Sequence, residues 1–164
     1  HGTASPRWTG CCPARPPTST SPTPTPPPVV QEPVFENYMD APRTRGDWTY
    51  VSEPNETLAI YGAGPSAPEF IVRCAGGSIG LARMTRTPAA QPRTMSITTE
   101  TTTRQLQATP VAQRGLVAVT LQPRDPLLDA MAITKGRFAV EVEGERTLYL
   151  PSWAEVTRVI EDCR

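Results

Sequence analysis

The stretch Glu69-Phe70-Ile71-Val72-Arg73-Cys74-Ala75-Gly76-Gly77-Ser78-Ile79-Gly80-Leu81-Ala82-Arg83-Met84 decides the fold class. Two apolar-rich runs flank Ala75-Gly76-Gly77-Ser78, which reads as a hairpin turn. Upstream, Gly46-Asp47-Trp48-Thr49-Tyr50-Val51 alternates polar with aromatic or apolar residues, and Thr57–Tyr61 follows the turn pair Pro54-Asn55. Downstream, a Pro-containing loop from Thr87 to Pro92 precedes a strand over Thr94–Thr99. The threonine run Thr98–Thr103 also suits strand, because β-branched side chains pack on a pleated surface, and it continues to Pro110. Gly115–Leu121 is the most apolar run and predicts a central strand. Arg137–Val142 and Arg146–Leu150 close a hairpin around Glu143-Gly144-Glu145. Short strands at this spacing predict a mainly β fold, an antiparallel β-sandwich or small barrel.

Two short helices interrupt the strands, the last at the C-terminus. Asp125-Pro126 is an N-cap followed by proline at the first helical position; Leu127, Leu128 and Met131 form its apolar stripe, and Gly136 fits as the stop. Ser152-Trp153-Ala154-Glu155 reads as a capping box opening the second helix. Trp153, Val156 and Ile160 are expected on its buried face, with Arg158 and Glu161 outside.

The chain has 164 residues and 20 prolines, more than twice the usual share of about 5%. Eleven of the prolines precede residue 43. Residues 1–42, with their alternating Ser, Thr and Pro, lack the apolar content that offsets about 1–2 kcal/mol of backbone ordering per residue. They read as a disordered tether of up to roughly 90 Å at polyproline rise, and residues 43–164 as a single β-rich head. Sixteen basic residues balance sixteen acidic ones, which argues against a basic nucleic-acid binder. Within the tether, Trp8-Thr9-Gly10-Cys11-Cys12 looks like the end of a bacterial lipoprotein signal and makes Cys11 a lipidation candidate; membrane contact is expected only through such an anchor.

Cys11, Cys12, Cys74 and Cys163 match no metal-ligand spacing. Cys74 ends a strand and Cys163 ends the last helix, so a disulfide between them would staple the C-terminus to the sheet and point to an oxidising compartment. The only histidine, His1, lies in the tether, which leaves the head without the usual base of a hydrolase triad. Gly76-Gly77-Ser78-Ile79-Gly80 lacks the Lys-Ser/Thr of a phosphate loop. Among carboxylates, Asp125 is assigned to a cap with Asp129 four residues on, and Glu141, Glu143 and Glu145 read as a solvated hairpin face. Trp48, Tyr50, Tyr61, Tyr149 and Trp153, with Arg73, Arg83, Arg104 and Arg137, are the residue types of interface hot spots, although each taken singly reads better as core or solubilising surface.

The C-terminal block Asp125-Pro126-Leu127-Leu128-Asp129-Ala130-Met131-Ala132, Lys135–Glu141, Leu150–Val156 and Arg158–Arg164 resembles that of an uncharacterised family of bacterial envelope proteins. More loosely, the chain is similar to the invasion-associated locus B family, secreted β-rich domains with a cysteine late in a strand and a helix at the end. The resemblance implies export and a β-rich fold and carries no catalytic residues. Phe70–Gly77 also resembles the strand-Cys-turn segment of small β-barrel lysozyme inhibitors. The expectation is a noncatalytic cell-envelope module, periplasmic and tethered, that binds a protein or envelope component and needs no cofactor or metal. The alternatives are a lysozyme inhibitor and a carboxylate-based hydrolase.

Overall fold

A computed structural model of the chain describes residues 37–164, save 65, 87–89 and 112–113. The elements run η1 (Tyr38–Asp40), β1 (Asp47–Glu53), β2 (Glu56–Gly62), β3 (Pro68–Ala75), β4 (Ser78–Met84), β5 (Arg93–Thr98), β6 (Thr103–Val111), β7 (Leu116–Leu121), α1 (Pro126–Ile133), β8 (Arg137–Val142), β9 (Leu148–Pro151) and α2 (Ala154–Asp162). The strands form one antiparallel nine-stranded sheet in the order β1-β2-β3-β4-β7-β6-β5-β8-β9. The apolar run of β7 is its middle strand, as expected.

The hairpin that opens the argument forms as read: Ala75 pairs with Ser78, and Gly76 and Gly77 hold φ of 59° and 75° between them. The sheet curls because β6 changes partner along its length. Thr103–Ala108 pairs with β5, whereas Thr109–Val111 pairs with β7. Curling brings the outer strands together: the Trp48 indole donates to the Pro151 carbonyl at 2.7 Å, and the Thr44 amide donates to the Tyr149 carbonyl at 2.9 Å. The result is a small barrel closed by side-chain and main-chain bonds at its seam.

Alternation along each strand turns one row inward. Trp48, Ala59, Tyr61, Phe70, Val72, Ile79 and Leu81 join Met95, Ile97, Phe138, Val140 and the helix residues Leu127, Leu128, Met131, Val156, Val159 and Ile160 in one core. Trp48 meets Tyr61 edge-on with ring centroids 5.1 Å apart, a geometry favoured by the ring quadrupoles. The packed body reaches back before β1: Ala41 is buried, and its carbonyl accepts from Arg137.

Three local readings need correction. Ser152 does not cap α2; the N-cap is Trp153, with no side-chain cap bond. The Ser152 hydroxyl serves the carbonyls of Met131 and Ala132, at 2.7 and 3.0 Å, and so engages the end of α1, where helix carbonyls lack partners of their own. Gly136 is not the residue that stops α1, since that helix ends at Thr134 in extended conformation; Gly136, at φ 78°, turns the chain into β8. The threonine run is broken as well. The Thr99 hydroxyl accepts from the amides of Thr101 and Thr102, a side-chain turn that competes with the ladder and separates β5 from β6.

Candidate functional site

One end of the barrel is held by sulfur. Cys74 follows Phe70 and Val72 on the inward phase of β3, and Cys163 is the C-cap of α2. They are joined by a disulfide with Cα atoms 5.6 Å apart, spanning 89 residues of sequence. Beside it, the Asp125 carboxylate accepts from the Leu127 amide at 2.9 Å as the expected N-cap. It also accepts from both terminal guanidinium nitrogens of Arg104, Nη2 to Oδ2 at 2.9 Å. The Arg104 hydrogen bond holds the Asp125 carboxyl below its ordinary range, helped by the Leu127 amide and opposed by desolvation. Asp129 pairs with Arg164 at 2.8 Å. Cys11 lies outside the described residues.

The opposite end carries charge where a barrel normally carries carbon. Ile79, Leu81 and Arg83 occupy the inward phase of β4, and Arg83 is only 3% exposed, between Phe70 on β3 and Val117 on β7. A guanidinium there is tolerable only if it is hydrogen-bonded. It donates to Glu69 at 3.3 Å, to the Met84 carbonyl and to the Arg146 carbonyl at 3.0 Å. Burial pulls its pKa down, against the pull of Glu69 and Glu145 and with the push of Arg146 and Arg86. Its Nε and the hydroxyl of Thr85, two residues on, are buried with no hydrogen-bond partner among the described residues.

The β8–β9 turn completes the cluster. Gly144 at φ 80° and a bond from the Glu145 amide to the Val142 carbonyl at 3.0 Å tuck Glu145 inward, its side chain 2% exposed. That carboxylate accepts from the Arg86 amide at 3.1 Å and from Arg93 at 3.2 Å. Arg146 reaches Glu69 at 3.2 Å. The side chains of Arg83, Arg93 and Arg146 thus pair with two carboxylates, Glu69 and Glu145, with Glu143 exposed at the rim. An open groove of about 490 Å³ adjoins them, lined by Ala90, Gln91, Pro92, Arg93, Glu143 and Gly144. The solvated-face reading therefore fails for Glu145 and holds for Glu141 and Glu143, which are exposed. The described lining of the groove includes one carboxylate, Glu143.

The remaining sequence candidates are structural. The Tyr61 hydroxyl bonds the carbonyls of Thr44 and Gly46, and burial raises its pKa, with Arg43 lowering it and Asp47 adding to the rise. Tyr50 bonds Asp162 at 2.7 Å beneath the Arg158 guanidinium, 4.0 Å from its ring centroid. Trp153 is half-buried under Arg43. Tyr149 sits in the seam, its amide donating to the Thr44 hydroxyl at 2.7 Å. Arg73 pairs with Glu56 on the outer face. Sequence reading missed Glu69, Thr85, Arg86, Arg93 and Arg146. One signal was available: Arg83 interrupts the apolar phase of a strand whose other inward residues are Ile79 and Leu81.

Among the described residues no cluster of His, Cys, Asp and Glu is placed to hold a metal. Comparison with protein-family models, with curated proteins and with solved structures finds no match.

Proposed function

We propose that the chain is a noncatalytic binding module of the cell envelope, tethered through its Pro-rich segment, that grips an anionic group of an envelope component at the arginine-lined end of its barrel. One observation carries the reading. Two buried donors at this end, Arg83 Nε and the Thr85 hydroxyl, are without a hydrogen-bond partner among the described residues. An anionic oxygen satisfies both demands, because charge-assisted bonds to guanidinium are the strong ones. The disulfide supports the extracytoplasmic part, since such bonds persist in oxidising compartments.

Calorimetric titration of the oxidised protein with pyrophosphate tests the site. Saturable binding that Arg86→Gln/Arg146→Gln removes is the expected result; a response no larger than sodium chloride gives at equal ionic strength overturns it. Fractionation with palmitate labelling tests the compartment, and a cytosolic, unlipidated, reduced protein overturns that part. The lysozyme-inhibitor reading draws on one feature, the disulfide placed directly before the Gly76-Gly77 turn. Dose-dependent protection in a lysis assay is its test.

A further inference from the structure

The seam that closes the barrel ends before β1 does. Strand β9 stops at Pro151, whose carbonyl accepts from the Trp48 indole, and the chain then leaves the sheet for α2. β1 runs on to Glu53, and among the described residues it pairs with β2 alone. Which of its groups are spent on β2 follows from the hairpin. Pro54-Asn55 is a two-residue loop, so the flanking pair Glu53 and Glu56 exchanges both its main-chain bonds. Every second pair behind it does the same: Val51 with Leu58, Thr49 with Ile60 and Asp47 with Gly62. The N–H and C=O groups of Tyr50 and Ser52 therefore point away from β2. Among the described residues nothing takes them. Ser52 is exposed and Tyr50 half-buried.

An edge of this kind accepts another strand unless something blunts it. Thr49, Tyr50, Val51 and Ser52 are uncharged, and three of the four are strand formers. Tyr50 is pinned from the inner side, its hydroxyl on Asp162 at 2.7 Å and its ring under the Arg158 guanidinium. The charges stand at the ends of the outer row, Asp47 and Glu53, both exposed. A second copy fits this edge badly. Pairing Tyr50 with Tyr50 of the other copy sets Asp47 against Glu53 twice, and like charges directly opposite destabilise a ladder. Pairing Tyr50 with Ser52 drives each Pro54-Asn55 loop onto Trp48 of the other copy, where Pro151 already stands. Pairing Ser52 with Ser52 brings Pro54, which has no N–H to donate, opposite Tyr50. We infer that the edge receives an extended segment of a partner polypeptide as an added antiparallel strand. Its outer row carries a lysine or arginine opposite Glu53, a β-branched residue opposite Val51, and a second basic residue opposite Thr49, diagonal to Asp47. The main-chain bonds of Tyr50 and Ser52 hold the segment, and the two carboxylates set its register and turn acidic strands away. Arg158 lies on the other side of the sheet from those basic residues. This inference is independent of the anion site and of the compartment.

Fluorescence anisotropy with the labelled peptide Thr-Lys-Thr-Val-Thr-Lys-Thr is the test, on the full oxidised chain with Cys11 and Cys12 replaced by serine so that intermolecular sulfur bonding does not contribute. Saturable binding is expected, about ten-fold tighter than for the same peptide with glutamates in place of the lysines. Ser52→Pro removes one outward N–H and leaves the bonds to β2 in place, so it is expected to weaken binding about ten-fold. Ser52→Ala keeps that N–H and is expected to bind as Ser52 does. Hydrogen exchange reads the edge without a substitution there: the Tyr50 and Ser52 amides are expected to slow with the lysine peptide and not with the glutamate peptide. No binding, equal affinity for the two peptides, or amides that exchange as fast with the lysine peptide as without it overturns the inference. So does binding that a folded Ser52→Pro protein retains in full. Sedimentation equilibrium of the peptide-free chain completes the test, because a dimer that Ser52→Pro dissociates gives the edge to a second copy and overturns the partner strand.

Discussion

The two ends of this barrel solve one problem with different chemistry. At one end the terminal helix presses Val156, Val159 and Ile160 into the core and is then bonded covalently to β3 through Cys74 and Cys163. At the other, Arg83, Glu69, Arg146, Glu145 and Arg93 clasp β3, β4 and β5 to the β8–β9 turn by ion pairs and main-chain bonds. A disulfide acts largely on the unfolded chain, whose freedom it restricts, and it is indifferent to salt. A desolvated ionic clasp acts in the folded state, where each charge is tolerable only while its partner is present. The stapled end is therefore insensitive to salt, whereas the charged end depends on every one of its partners.

The largest expected effect falls on the staple. Cys163→Ser, or reduction of the native protein, should lower stability by about 4–5 kcal/mol, the chain-entropy value for closing a loop of this length. Urea denaturation of oxidised and reduced protein measures it. A loss under about 1 kcal/mol would mean that helix packing alone secures this end. Next comes the clasp: Arg83→Met keeps volume and removes charge, leaving the Met84 and Arg146 carbonyls without their Arg83 donor and Glu69 with the half-exposed Arg146 alone. A loss of about 2–4 kcal/mol is expected, below the range for a fully buried pair because Glu69 is partly exposed. If Arg83→Met is as stable as wild type, the clasp does not hold the end together.

Acid separates the ends in a third way, through Asp125 at the stapled end. The Arg104 hydrogen bond lowers its pKa in the folded protein, so the folded state releases its proton more readily than the unfolded chain. Its stabilising contribution is fully present above the ordinary Asp value of about 3.9 and fades as pH falls through the lowered folded value. Asp125→Asn should remove that component of the acid loss, and Asp125→Ala should further cost about 1–2 kcal/mol at neutral pH through the missing cap. Denaturation series from neutral to strongly acidic pH would show parallel curves for wild type and Asp125→Asn if the pairing has no energetic role.

The stapled end was legible in the sequence, and the charged end was not. Gly76-Gly77 fixes a turn from the backbone needs of two residues, the Asp125-Pro126 cap is equally local, and the cysteines needed only the ends of a strand and a helix. Glu145 was read as solvated because two-residue alternation was carried into a turn, where Gly144 redirects the chain. Ser152-Trp153-Ala154-Glu155 satisfied a local pattern, but its serine had a stronger claim from the carbonyls of Met131 and Ala132, twenty residues away in sequence. Local motifs state what a backbone accepts. They carry no information about which distant partner arrives first. Arg83 is the intermediate case, visible as a charge on an apolar phase while its partners on β3 and the β8–β9 turn were not.

The smallest expected effect probes whether the clasp is graded from core to rim. Arg146 touches the cluster in two ways: its carbonyl accepts from Arg83, and its side chain, half in solvent, reaches Glu69 at 3.2 Å. Arg146→Ala leaves the carbonyl bond intact and deletes only the exposed pair, so the loss should be at most about 0.5 kcal/mol. It should disappear in 1 M salt, where the screening length is about 3 Å. A double-mutant cycle with Glu69→Gln isolates that coupling at low and high salt. Coupling above about 1.5 kcal/mol that survives salt would place Arg146 with Arg83 in the buried network, and the charged end would then be as rigid a closure as the disulfide opposite it.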